Sequence, residues 1–303
     1  MPAIRTFHHA GFDVADLVAR KGASTVSVCL PARDEARTVG AIVQSIRQHL
    51  VAAGLVDVVV VIDDHSTDGT ADVAADAGAR VVTAADVLPE YGEGHGKGEA
   101  LWKSLHETDT DLVAWCDADI VDFGPQFVVG LLGPLLTRPD VGFVKGFYDR
   151  PGGDVSMDRG GRVTELVARP VLSLLFPHLT GVVQPLSGEY AGRRSVLERL
   201  PFVEGYGVDI ALLIDVTARF GLDVLAQVDL GERRHRNRPL DDLSPQATAI
   251  LQTTLRRAGW RLSRLPVVLR RPGLEPLTVD VAERPPLVTV PSYRPRSLST
   301  GPR

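Results

Sequence analysis

Short apolar runs alternate with amphipathic stretches along the first half of the chain. Thr25-Val-Ser-Val-Cys-Leu30 is apolar and β-branched and reads as a strand. It ends in the polar turn Pro31-Ala32-Arg33-Asp34-Glu35. Beyond it Val39, Ile42, Val43, Ile46 and Leu50 recur at spacings of three and four, the period of one helix face. Val56 to Ile62 predicts a second buried strand, closed by Asp63-Asp64-His65-Ser66-Thr67-Asp68-Gly69-Thr70 and followed by a helix. Arg80 to Thr83 predicts a third strand. The loop Tyr91 to Gly98, with glycine at every second position, leads into a helix carrying Leu101, Trp102 and Leu105. The apolar run from Leu112 that ends in Asp117 predicts the next strand, then come a helix to about Leu136 and a strand at Val141 to Phe147. This regular alternation predicts an α/β fold, Rossmann-like, with a mostly parallel sheet flanked by helices.

The second half is less regular. Gly161 opens a helix to about Phe176, and Pro185 to Tyr190 is a turn before a short strand. Tyr206 to Phe220 reads as a helix, Leu222 to Val228 as a strand and Leu243 to Ala258 as a helix. The pattern divides the chain into an arm (1–23) with some helical character, a regular half (24–148), a smaller irregular half (149–260) and a tail (261–303). The tail holds eight of the 21 prolines. It is expected to be extended, either disordered or wrapped on a partner subunit.

Composition narrows the function classes. With 303 residues and 44% hydrophobic content, a sizeable core is available. A net charge of −5 argues against general nucleic-acid affinity. Two cysteines, Cys29 and Cys116, are too few for a disulfide framework and predict reduced, buried thiols near strand ends in a cytoplasmic protein. The first 21 residues lack the apolar segment of a signal peptide. No run approaches the roughly 20 apolar residues of a membrane-spanning helix.

The chemistry centres on Asp117-Ala118-Asp119, which abruptly ends an apolar strand. Ligands of open α/β sheets bind beyond the carboxyl ends of the strands. Two carboxylates placed there repel each other unless a cation neutralises them. A hard divalent ion that also takes phosphate oxygens suits such a pair. The same pattern also serves ordinary helix capping. Pro31 to Glu35 and Asp63 to Asp68 end two further strands and would line the same sheet edge, forming a nucleotide pocket. Lys97, between Gly96 and Gly98 at a helix start, suits a phosphate. The Walker pattern is absent. Gly161-Arg162-Val163-Thr164 is a second anion candidate, joining free amides, an arginine fork and a hydroxyl. Glu232 to Arg238 is the densest basic segment, and its His235 can coordinate a divalent ion. Two anion sites and one diacid site predict two phosphorylated substrates. One is a nucleotide-diphosphate donor, and the other is an acidic acceptor held by Arg162, Thr164 and Arg236-Asn237-Arg238.

These motifs, PARDEA, IDDHSTDGT, GKGEALW, DAD, GRVTELVARP, PLSGEYAGRR, YGVDIALLID and HRNR, run in order from about residue 25 to 258. Together they resemble the retaining glycosyltransferases that make glucosyl-3-phosphoglycerate. The resemblance implies a GT-A fold, UDP-glucose as donor, 3-phosphoglycerate as acceptor, Mg²⁺ (or Mn²⁺) and a homodimer. Residues 24–148 then form the nucleotide-sugar half and 149–260 the acceptor half. It implies donor contacts at Pro31, Ala32, Glu35, Asp64, Lys97, Asp117, Ala118 and Asp119, and metal ligands at Asp119 and His235. Acceptor contacts fall at Gly161, Arg162, Val163, Thr164 and Asn237, with Arg236 added from the basic run. Leu186 matches the residue whose carbonyl faces the sugar, and Asp209 stands near the reacting centre. With Lys97, these two complete the catalytic set.

Three positions depart from the family pattern. Asp34 stands where Asn is frequent, Asp64 where Ser is frequent, and Asp209 in place of a Glu. They leave open a mannosyl-3-phosphoglycerate synthase using GDP-mannose. A polyprenyl-phosphate glycosyltransferase predicts an amphipathic or spanning tail, which this one does not resemble. A non-catalytic nucleotide-sugar module predicts loss of the diacid or the basic acceptor residues, and both are present.

Overall fold

The computed structural model describes residues 4–149, 161–233, 240–261, 266–279 and 281–295. The chain runs β1 (Arg5–His8), α1 (Val14–Lys21), β2 (Val26–Ala32), α2 (Val39–Ile46), β3 (Val58–Asp63), α3 (Thr70–Asp76) and β4 (Arg80–Thr83). It continues with α4 (Lys97–Glu107), β5 (Leu112–Trp115), α5 (Gln126–Thr137) and β6 (Phe143–Asp149). Then come α6 (Arg169–Leu175), β7 (Tyr190–Arg193), α7 (Arg194–Leu197), β8 (Phe202–Val203), α8 (Val208–Phe220) and β9 (Leu225–Glu232). The last elements are α9 (Leu240–Arg257), β10 (Val267–Arg271), β11 (Leu274–Val279) and β12 (Glu283–Arg284).

Eight strands form the central sheet in the order β1-β9-β6-β7-β5-β2-β3-β4. All pairs are parallel except those of β7, which lies antiparallel between β5 and β6. The period-two pattern of the strands sorts side chains to two cores. Val28, Leu30, Val59, Val61 and Ala114 face one core with α1, α2 and α5. Cys29, Val60, Ile62, Val113 and Trp115 face the other with α4 and α8. Runs apolar on both faces are what a sheet covered by helices on each side requires. Both cysteines are free and buried, with Cys29 inside β2 rather than at its end. No helix among the described residues is long and apolar enough to cross a membrane.

The register places the site. Parallel pairing sets Ala32 opposite Asp63 and Cys29 opposite Trp115, so β2, β3 and β5 deliver their carboxyl ends to one edge. Because β7 runs the other way, its first residue, Tyr190, pairs with Trp115 and Lys145 at that edge. Glu189 is thereby brought beside the β5 carboxylates.

The arm holds the helical part expected of it and adds a strand, while the tail differs from the expectation. The arm supplies β1, an edge strand parallel to β9, and α1, whose N-terminus is capped by the Asp13 carboxylate. Four residues of half-buried alternation are too short to announce an edge strand. The tail folds onto its own chain. Pro272-Gly273 makes the β10–β11 turn, with Gly273 at φ +73°. β12 pairs antiparallel with β8. Leu287, Val290 and Tyr293 join the α4–α8 core, each burial contributing about 1.5–3 kcal/mol. Proline forbids a helix interior but not packing, and the apolar residues between the prolines decide the outcome.

Candidate active site

The edge is tied together by side chains from separate loops. Asp64 N–H donates to Ala32 O at 2.8 Å, and Asp64 Oδ2 accepts from Gly96 N–H at 2.8 Å. Thr38 Oγ1 donates to Ala118 O at 2.6 Å. Asp34, at φ +56°, accepts from Thr67 N–H through its carboxylate. Pro31, Ala32, Glu35, Asp64, Lys97, Asp117, Ala118 and Asp119 are therefore gathered on one rim.

At its centre stands Lys97, the first residue of α4. Its Nζ lies 2.6 Å from Asp117 Oδ1, 3.5 Å from Asp209 Oδ1 and 3.3 Å from Gly188 O. Gly98 lets α4 approach β8 this closely, since a Cβ there would strike Val203 O. A side chain at Gly188 would likewise strike the Asp117 carboxylate. Burial disfavours the Lys97 ammonium, but Asp117 and then Asp209 outweigh it and raise its pKa well above the ordinary value. Burial also acts to raise the Asp117 carboxyl. Lys97 and Arg233 overcome this and hold it well below the usual carboxylate range.

Arg233, at the end of β9, was not singled out from the sequence. Its guanidinium spans Asp117 Oδ2 at 3.3 Å, Glu189 Oε1 at 2.7 Å, Asp119 Oδ1 at 2.7 Å and Tyr148 OH at 2.7 Å. Glu189 is fully buried, and burial pushes its carboxyl up, countered by Arg233 and reinforced by Asp117. The signal for both was present. Arg233 belongs to the flagged basic run and Glu189 to the SGEYAGRR motif, but only their pairing across the sheet gives them a role.

Asp209 lies in the first turn of α8, where the helix dipole favours a carboxylate. Its backbone carbonyl accepts from Lys145 Nζ at 3.4 Å. The Lys145 ammonium sits 4.3 Å from the Tyr190 ring centre. Glu189 Oε2, Tyr190 OH, Asp209 Oδ1 and Arg233 Nε are buried without a hydrogen-bond partner. Asp209 Oδ1 keeps its ion pair to Lys97 at 3.5 Å, and the polar atoms left over beside it suit a polyhydroxylated, charged ligand.

The donor set also fits a hard divalent ion. Asp119 is held by Arg233 through one oxygen, and its side chain is 44% exposed at the rim. His235, the second expected metal ligand, lies outside the described residues, as do Arg236 and Asn237.

Gly161, Arg162, Val163 and Thr164 head the helix leading into α6. Val163 and Thr164 are buried. That helix is joined to the site through the turn before β7. Arg169 donates to Val183 O at 2.7 Å, and Ser187 Oγ to Gly146 O at 2.5 Å. Leu186 sits in this turn, two residues before the Gly188 carbonyl that meets Lys97.

A diacid and a lysine at the carboxyl edge of a mostly parallel sheet, faced by an acid on a helix start, define a site for nucleotide-sugar chemistry. The profile of glycosyl transferase family 2 matches residues 27–200, and the chain belongs to that family. The glucosyl-3-phosphoglycerate synthase of Mycolicibacterium smegmatis is 47% identical over 299 residues, covering 96% of this chain and 97% of that one. A crystal structure of the Mycobacterium tuberculosis glucosyl-3-phosphoglycerate synthase, in complex with Mn²⁺, UDP-glucose and phosphoglyceric acid, matches with a TM-score of 0.86 at 45% identity. It covers 94% of this chain and 98% of that one. The mannosyl-3-phosphoglycerate synthase of Rubrobacter xylanophilus matches with a TM-score of 0.85 at 40% identity, covering 94% and 97%.

Proposed function

We propose that this chain is a retaining, metal-dependent glucosyl-3-phosphoglycerate synthase that moves glucose from UDP-glucose to the free hydroxyl of 3-phosphoglycerate. The observation that carries the reading is Lys97 held between Asp117, on the diphosphate side, and Asp209, on the sugar side. The near full-length likeness to glucosyl-3-phosphoglycerate synthases supports the choice of substrates.

Pro31, Ala32, Glu35 and Asp64 hold the nucleoside. A bound Mg²⁺ or Mn²⁺, with Asp119 and His235 as its ligands, supplies Lewis-acid stabilisation of the departing diphosphate. The Lys97 ammonium adds a fixed positive charge where negative charge develops. Arg233 holds Asp117 and Asp119 in place. Arg162, Thr164, Arg236 and Asn237 hold the acceptor's phosphate and carboxylate, so its hydroxyl meets the anomeric carbon without loss of further orientational freedom. The bond from the anomeric carbon to the β-phosphate oxygen breaks, and the bond to the acceptor oxygen forms on the same face. The acceptor proton passes to the departing phosphate. Asp209 and the Leu186 carbonyl orient the sugar. The enzyme works in the cytoplasm as a homodimer, which light scattering of the purified protein tests.

The test of substrate is a matrix. Purified protein with Mg²⁺ and 3-phosphoglycerate is given UDP-glucose, ADP-glucose, GDP-glucose or GDP-mannose, and products are read by mass and anomeric NMR. An α-glucosyl product formed best from UDP-glucose is expected. The likeness to the Rubrobacter mannosyl enzyme and the extra carboxylates Asp34 and Asp64 favour one second reading, in which GDP-mannose gives the better product. No transfer from any donor would overturn both.

A further inference from the structure

We propose that Asp64, His65 and His95 form a second metal site, suited to a borderline transition ion such as Zn²⁺. Occupancy clamps the glycine-rich loop to the end of β3 and obstructs the donor pocket. The site itself stands on the geometry below, and only the obstruction rests on the donor reading.

One ligand atom from each of the three residues lies within 4.8 Å of the others. They come from two segments, the β3 turn and the loop before α4. Asp64 is buried, His65 half-buried and His95 exposed. The two imidazole rings have centres 4.6 Å apart and are tilted by 54°. His65 Nδ1 is 3.0 Å from Asp64 Oδ1.

Donors around a tetrahedral zinc, at bonds of roughly 2.0–2.1 Å, stand about 3.3 Å from one another. Closing the triangle therefore needs a short inward movement of His95. The His95 side chain is exposed, so a change of its rotamer supplies this movement while Gly96 N–H stays on Asp64. His65 is held at φ +62°, a conformation a non-glycine residue adopts only where its surroundings impose it. This conformation presents its ring to His95.

The chemistry separates this site from the catalytic one. Asp117 and Asp119 offer oxygen to a hard ion. Two imidazoles and one carboxylate select zinc, cobalt or nickel over magnesium. A fourth position stays open to water, the arrangement of three-ligand zinc centres. Asp64 Oδ2 already accepts the Gly96 N–H beside Lys97. A metal on Oδ1 thus ties the nucleoside rim and the phosphate loop into one rigid unit and takes Asp64 away from the donor.

Cobalt(II) is the probe, because a tetrahedral ion absorbs visible light far more strongly than an octahedral one. The full chain, stripped with EDTA, is titrated in an Asp119→Ala background that disables the catalytic ion. A visible band saturating at one equivalent is expected. His95→Ala and His65→Asn should each weaken it by roughly tenfold or more, since even a partner that only orients a ligand is worth roughly 10–100-fold in affinity. In the otherwise unaltered chain, Zn²⁺ should weaken UDP binding measured by calorimetry in Mn²⁺, and His95→Ala should abolish that effect. A cobalt band unchanged in both histidine variants overturns the site. A band that responds, with UDP binding indifferent to Zn²⁺, keeps the site and overturns the obstruction. Neither outcome depends on glucosyl transfer being observed.

Discussion

Two groups of buried charges lie along α4, and they are built differently. Behind the helix start, Glu99 is fully buried between Lys103 at 2.8 Å and Arg284. Arg284 also reaches Glu204 at 3.2 Å and the Tyr91 carbonyl, and Lys103 donates to Ala84 O and Glu93 O. Each charge has an opposite charge, and the cluster bolts the C-terminal strand, the glycine-rich loop and the β8 segment together. At the helix start, Lys97 and Arg233 face Asp117, Asp119, Glu189 and Asp209, and several polar atoms are left over. One helix thus carries a charge-balanced cluster that fixes its place and a carboxylate-rich one at the sheet edge. The lesson is that buried charge on its own does not mark an active site: Glu99 and Glu204 are balanced by Lys103 and Arg284, whereas at the helix start four carboxylates face Lys97 and Arg233.

The comparison can be broken most directly at Arg284. Arg284→Met strips one cation from the paired cluster and should lower unfolding stability by about 3–5 kcal/mol, as removal of one member of a buried pair does. Denaturant melts read this. A loss below about 1 kcal/mol would mean that the cluster is not what holds the tail.

Lys97→Met tests the other cluster. Removing a preorganised positive charge from the diphosphate side should lower kcat by about 10²–10³-fold. Stability should fall less than in Arg284→Met, because Asp117 keeps Arg233 and is 25% exposed. Equal destabilisation of the two variants would erase the proposed division of labour.

Asp209→Asn keeps the shape of the α8 start and removes its charge. A loss of about 10–100-fold in kcat/KM is expected, the value of a hydrogen bond to a charged group. Full activity would show that Asp209 does not orient the sugar.

The smallest effect concerns Lys145, beneath the site. Burial lowers its pKa from 10.5 to about 8, with Asp209 opposing the shift. Between these values the unfolded chain binds more protons than the folded one, so stability rises with pH across that window. Below about 8 the burial penalty is fully present. Lys145→Met should flatten this rise, seen as a smaller gain in melting midpoint on raising the pH. An identical pH slope in both proteins would place the charge elsewhere.

Much of the carboxyl edge was legible in the sequence. The apolar runs, their polar ends and the diacid lie within short windows, and parallel strands joined by helices leave their carboxyl ends on one edge whatever their order. Local pattern also located Lys97, through the glycines that free the amides around it. What the sequence by itself determined was therefore the set of elements and the face each strand residue takes, because both follow from periods of 2 and 3.6 along the chain. Only the tertiary structure decided that β7 enters backwards between β5 and β6, setting Glu189 and Tyr190 beside Asp117. Only it brought Arg233 across to two β5-loop carboxylates 116 and 114 residues away, and Arg284 to a glutamate 185 residues away. Strand order and the tail's docking depend on which apolar surfaces remain to be covered once the sheet has formed. That is a property of the assembled core, and no local periodicity encodes it.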